Sequence, residues 1–145
     1  MNNTVQYAVC QAIAALLVDL PDVAAGSVRV QRRRPMPQAV NTQIFVFYDE
    51  SAPTQLRTLE SIVWRTRIRI ECVARDAAGV TADQASDDMV QECYARVMAA
   101  PLLGGLATST EPVGMASTGD DADTALSAGQ VLFDVTHRCA RASIA

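Results

Sequence analysis

The stretch ESIVWRTRIRIECVAR, residues 60–75, constrains this chain more than any other part of it. Ile62, Trp64, Ile68, Ile70, Cys72 and Ala74 recur at every second position, with Thr66 the only polar member of the series. The intervening positions hold Arg65, Arg67, Arg69, Glu71 and Arg75. Successive side chains of an extended backbone point to opposite faces, so this alternation predicts a long strand with one face buried. Such a strand needs neighbours to cover its apolar face, and the rest of the chain must supply them.

Ahead of it, Val5, Val9, Ala12, Ile13, Leu16, Leu17 and Leu20 follow the i, i+3, i+4, i+7 spacing of a helix. Thr4 caps this helix, which runs to about Asp19, and Pro21 stops it. A turn at residues 24–27 leads to a short strand at 28–31. The segment RRRPMPQ follows, where two prolines deny regular structure. The run QIFVFY, residues 43–48, is continuously apolar and predicts a strand buried on both faces. Thr81 and Gln84 have the spacing of a capping box before a second helix at 83–99. Its buried stripe is Ala85, Met89, Val90, Cys93, Val97 and Met98, and Pro101 with Gly104 and Gly105 ends it. Residues 106–125, rich in Thr, Ser, Gly and Asp, lack a hydrophobic period and read as a long loop of functional or mobile kind. A strand at 127–138 closes the chain, with Val131, Phe133 and Val135 alternating with polar residues. This order predicts an α+β fold: an antiparallel or mixed sheet of about four strands with two main helices packed on one face. A length of 145 residues suits one domain, 1–145.

Several chemistries are excluded by what the chain contains. All twelve basic residues are arginine, and without lysine there is neither a Walker A loop nor a Schiff base. No H-E-x-x-H, G-x-S-x-G or G-x-G-x-x-G occurs. His137 is the only histidine, and with no nucleophile motif beside it we read it as structural or at a solvent edge, so the catalytic set is empty. The four cysteines, Cys10, Cys72, Cys93 and Cys139, form no C-x-x-C pair and read as reduced core residues. Asp120, Asp121 and Asp123 do not match an EF-hand loop, and a solvated acidic loop is preferred to a metal site, so neither metal nor cofactor is expected. The apolar stretch at 9–20 is too short to span a bilayer and follows no basic run, which predicts a soluble protein with no membrane partner.

Charge is divided along the chain. Residues 1–75 hold nine Arg against six acids, and residues 76–145 hold three Arg against ten acids. A net charge of −4 makes a poor general DNA binder. The two-signed distribution suits subunits that meet head to tail, although a plain solvated surface accounts for it equally. Arg32, Arg33 and Arg34 form a basic run, while Arg65, Arg67 and Arg69 line one strand face with guanidinium groups roughly 7 Å apart. Those three arginines either grip a partner's carboxylates, such as Asp120, Asp121 and Asp123 of a neighbour, or take cross-strand partners such as Asp134.

Taken together, the segments have a familiar pattern. The amphipathic first helix, the strand IFVFYDE, the long strand VWRTRIRIECVARD, the helix DMVQECYARVM and the closing segment DDADTALSAGQVLFDVTHRC cover most of the chain. In this series it resembles the tail-terminator, or minor tail protein U, family of lambda-like tailed bacteriophages. It departs from the family in its longer RRRPMPQ insertion. The resemblance implies a non-enzymatic α+β subunit that assembles into a six-membered ring. That ring would bind the last ring of the tail-tube protein, stop its polymerisation and provide the surface on which the head docks through a neck protein. DNA would meet the ring only by passing through it. The implied location is the head-proximal end of the virion tail, after assembly in the host cytoplasm. A head-completion or neck protein is the alternative within this class, and a small ligand-binding α+β domain the alternative outside it.

Overall fold

The computed structural model describes residues 3–18, 27–37, 39–77, 79–120 and 123–144, with residues 118–120 and 123–125 described by their backbone. The elements are α1 (Val5–Leu17), β1 (Val28–Arg29), β2 (Thr42–Arg57), β3 (Ser61–Arg75), α2 (Ala82–Ala99), β4 (Ser109–Asp120) and β5 (Asp123–Ala140). They build one five-stranded mixed sheet in the order β1-β2-β3-β5-β4, in which only the β1–β2 pair is parallel.

β3 lies at the centre, paired on both sides. Ile68, Ile70, Cys72 and Ala74 face α1 and α2 and join Ile44, Val46, Val131, Phe133 and Val135 in the main core. α1 contributes Val9, Cys10, Ile13, Ala14 and Leu17, and α2 contributes Met89, Val90, Cys93 and Val97. Both helices therefore cover the same face, and the fold is the expected α+β architecture. Each helix starts where a side chain satisfies an otherwise unpaired amide: Thr4 accepts from Tyr7 N and Thr81 from Gln84 N. α2 ends in a 3-10 turn at Leu103–Gly105, where Gly104 and Gly105 adopt φ of 69° and 96°, values that glycine alone takes without strain. Pro21 and residues 24–26 of the expected turn lie outside the described residues.

The other sheet face carries a smaller apolar cluster. Met36, from the proline-containing segment, packs on Phe45, Val73 and Ala128. Burial on both faces explains the unbroken apolar run around Phe45. It also buries Glu71 and Val73, on the β3 face that sequence had assigned to solvent.

Four boundaries need correction, one of them the last strand, which runs over Asp123–Ala140 rather than 127–138. The strand expected at 28–31 is two residues long. β2 continues to Arg57 rather than ending at Tyr48, because its polar half is held by pairing with β3 across a bulge between Tyr48 and Glu50. The loop expected at 106–125 is mostly β4, an edge strand paired along β5. Residues 111–117 are exposed, so this strand needs no hydrophobic period; its backbone bonds to β5 hold it.

Candidate functional site

A Ser–His–acid relay would have to use His137, the single histidine, and the structure places that ring in the interior. It is fully buried beneath the helices, with Nε2 2.7 Å from Thr66 Oγ1. Thr66 Oγ1 also lies 2.7 Å from Ser51 Oγ, which accepts a bond from Gln6 Nε2 at 3.2 Å. On the other side, His137 Nδ1 is 3.6 Å from Cys139 Sγ. The result is a polar thread through α1, β2, β3 and β5 with no carboxylate in it. Burial lowers the His137 pKa, so the ring is neutral and serves as a hydrogen-bonding strut. All four cysteines are buried and free. Burial pushes the Cys10 thiol up to about 12, and the Cys72 thiol is raised first by its bond to Cys93, 3.7 Å away, and then by burial. Both shifts favour the protonated thiol over the thiolate. Among the described residues no three His, Cys, Asp or Glu gather in a metal-binding group, and no helix is long and apolar enough to cross a membrane.

The arginine face of β3 is partly satisfied within the subunit. Arg67 forks onto Asp134, its direct cross-strand neighbour, through Nε–Oδ1 at 3.1 Å and Nη2–Oδ2 at 3.3 Å. Arg69 donates to Asp49 Oδ2 at 2.9 and 2.7 Å and to Gln130 Oε1 at 2.7 Å. Cross-strand pairing thus accounts for both residues. Arg65 is exposed, with no ion-pair partner among the described residues. In the basic run, Arg32 lies 5.1 Å over the Phe47 ring, Arg34 is exposed, and Arg33 helps to hold down the carboxyl pKa of Glu71, which burial raises. Asp120 and Asp123 are backbone register partners where β4 and β5 meet, and Asp121 lies outside the described residues.

What sequence reading missed is the condition of the two sheet edges. Ile44 N donates to Ser27 O at 2.9 Å, so the Ile44 backbone points toward β1. Val46 and Tyr48 have the same parity; the Arg29–Phe45 register takes up the Val46 N–H, and beyond it the Val46 C=O and the Tyr48 N–H and C=O face outward. Carried across the sheet by the strand register, the same alternation turns the backbones of Met115 and Ser117 outward from β4. Among the described residues, neither edge has a further strand partner at these positions. Their prolines, Pro53 and Pro112, occupy outward positions, where the missing N–H costs no ladder bond.

The edges differ in charge. α1, β1, β2 and β3 come from the arginine-rich half of the chain, and α2, β4 and β5 from the acidic half. The sheet order keeps the two halves apart, since the dividing line falls between β3 and β5. Exposed Arg29, Arg32 and Arg34 flank the β1–β2 edge, while exposed Asp87, Asp88 and Glu111 flank the β4 edge. A cleft of ≈ 290 Å³ opens on the basic side between Tyr7, Cys10, Val46 and Tyr48, with Arg32 at its rim. On the acidic side Met115, 65% exposed, stands beside Val113, Tyr94 and Asp87. The end of the β2–β3 hairpin leaves Leu56 70% and Leu59 92% exposed. Its turn is fixed by Thr58 Oγ1, which accepts from Glu60 N and Ser61 N. The alternation that revealed β3 carried no information about these edges, because edge and centre strands share one period.

No family profile and no curated protein matches the chain. Among solved structures, it is similar to a chain of the virion of a native gene transfer agent particle. That likeness has 12% identity and a TM-score of 0.46, and covers 94% of this chain and 92% of the other. It is also similar to a chain from the sheath/tube terminator of an extracellular contractile injection system in its extended state. Here the identity is 13% and the TM-score 0.47, and 99% of this chain spans 60% of that one. At such identities and superposition scores neither likeness fixes a function.

Proposed function

We propose that this chain is a non-enzymatic assembly protein of a phage-type tail, a terminator that closes the tail tube with a ring of its own copies. The observation that carries the reading is the division of charge across a sheet whose two edges are open among the described residues. A subunit with unlike, complementary edges adds head to tail, and such contacts close into a ring when the rotation between copies divides a full turn. A closed ring presents no further copy of the growing end, which is what stopping a polymer requires. The U-family resemblance supplies the finer reading: six copies, the tail-tube protein on one rim, and a head-completion or neck protein on the other. DNA passes through the middle. The ring sits at the head-proximal end of the virion tail and is assembled in the host cytoplasm. The hairpin tip bearing Leu56 and Leu59 is the surface offered to the tube, since it combines apolar exposure with a fixed turn.

Native mass spectrometry and electron microscopy of the purified protein test the ring, which is expected as a hollow closed oligomer. Co-sedimentation with preformed tube then tests the role. Binding is expected to be lost in a Leu56→Ser, Leu59→Ser variant that still forms rings. A protein that stays monomeric at assembly concentrations overturns the reading, and rings that bind portal but not tube replace the terminator with a neck protein.

A further inference from the structure

We infer that the sheet itself continues from one copy to the next, with the β4 edge of one subunit pairing with the open β2 edge of its neighbour. This deepens the assembly reading and rests on it. The occupant of each edge is a second copy of this chain, and three observations point there. The first is backbone supply: the Val46 C=O and the Tyr48 N–H and C=O on one edge, and the Met115 and Ser117 groups on the other, have no ladder partner among the described residues. The second is charge. Two β4 edges meeting would oppose Asp87 and Glu111 with their own copies, and two β1–β2 edges would oppose Arg29, Arg32 and Arg34 likewise. Unlike edges bring arginine to aspartate. The third is shape. Met115 protrudes from the helix-side face of β4, and the cleft at Tyr7, Cys10, Val46 and Tyr48 opens on the helix side of β2. A continued sheet brings that side chain to that cleft.

Strand direction agrees. The β2–β3, β3–β5 and β5–β4 pairs are all antiparallel, so β2 and β4 run in opposite senses. Copies related by rotation about an axis along the strands therefore meet antiparallel, the geometry with straight ladder bonds. Pro53 and Pro112, together with the irregularities at Tyr48/Glu50 and Pro112/Gly114, confine the new ladder to a few residues.

The test uses the full chain. Tyr48→Cys and Met115→Cys variants are mixed, oxidised mildly and resolved without reductant. Cys10 lines the receiving cleft, so both variants also carry Cys10→Ala, and the other three native thiols are buried. The expected result is a covalent dimer that is abundant in the mixture and scarce in either variant alone. In parallel, Arg32→Glu and Asp87→Arg are each expected to raise the concentration for half-assembly by about tenfold, roughly 1.4 kcal/mol, and the double variant to recover it. Wild-type rings with no cross-link in the mixture, or rings indifferent to both reversals, overturn the edge pairing and leave the assembly reading standing. A monomeric wild type overturns both.

Discussion

Gly129 is where the packing of α2 on the sheet can be tested most sharply. A Cβ added there would lie 2.6 Å from Val90 Cγ2 and 3.4 Å from Ser86 O. The first contact is impossible as it stands. Val90 cannot swing aside cheaply, because a β-branched residue in a helix has one strongly preferred χ1. The second contact is backbone, so relief requires α2 to lift from β5. Overpacking of this kind costs about 1–3 kcal/mol. Val90→Ala removes two methyl groups worth about 0.8 kcal/mol each and leaves a small void, for a total of about 1.5–3 kcal/mol. If the sites were independent, the double variant would cost the sum. The new methyl instead occupies the space that Val90 Cγ2 vacated, so the double variant should be more stable than that sum by about 1–3 kcal/mol. Urea denaturation followed by the fluorescence of Trp64, the single tryptophan, measures all four proteins. A Gly129→Ala variant within about 0.5 kcal/mol of wild type, or strictly additive costs, would refute the claim that glycine is there for close helix approach.

Thr66→Val deprives Ser51 and His137 of their shared hydroxyl and should lower stability by about 1–3 kcal/mol in the same denaturation assay; an unchanged midpoint would dismiss the polar thread as incidental. Burial holds the folded His137 pKa below its unfolded value of 6.5, so its contribution is complete above that pH and declines as pH falls toward the folded pKa. Wild type should therefore lose more stability than His137→Asn between pH 7 and 5, and parallel profiles would contradict this. The Glu71 carboxyl shifts the other way, raised by burial and opposed by Arg33 and Arg69, so its contribution is complete below 4.5 and declines as pH rises through the folded pKa. The stability of Glu71→Gln relative to wild type should accordingly improve from pH 4 to pH 7, and a difference independent of pH would count against it. Arg67→Glu places a carboxylate directly opposite Asp134 and should lower the melting temperature of the subunit itself; an unaltered melt would mean that the fork is idle.

The elements read correctly from sequence are those whose burial repeats along the chain. β3, α1 and α2 each bury one continuous stripe, and a stripe leaves a periodic trace. Cross-strand charge pairing was legible too: Asp134 was a candidate partner for the arginine face because both strands alternate. β4 left no such trace. Its register against β5 holds it in place, and exposed Thr, Ser and Gly side chains carry no record of that pairing. The burial of Glu71 was hidden for a related reason, since Met36, far away in the sequence, closes over that end of the sheet. The edges were the least visible feature of all. Whether a strand is open depends on what lies beside it, and at β2 that is decided by a two-residue neighbour.

The buried hydroxyl-and-imidazole line has a consequence for how the strands find their alignment. Aliphatic side chains on every second residue would accept a slide of two positions almost as readily as the native arrangement. Ser51 would not, because a slide of β2 along β3 sets it against Ile68 or Trp64, neither of which can answer its hydroxyl. A greasy surface tells the hairpin which side to turn inward; a few polar atoms act as the vernier that tells it where to stop.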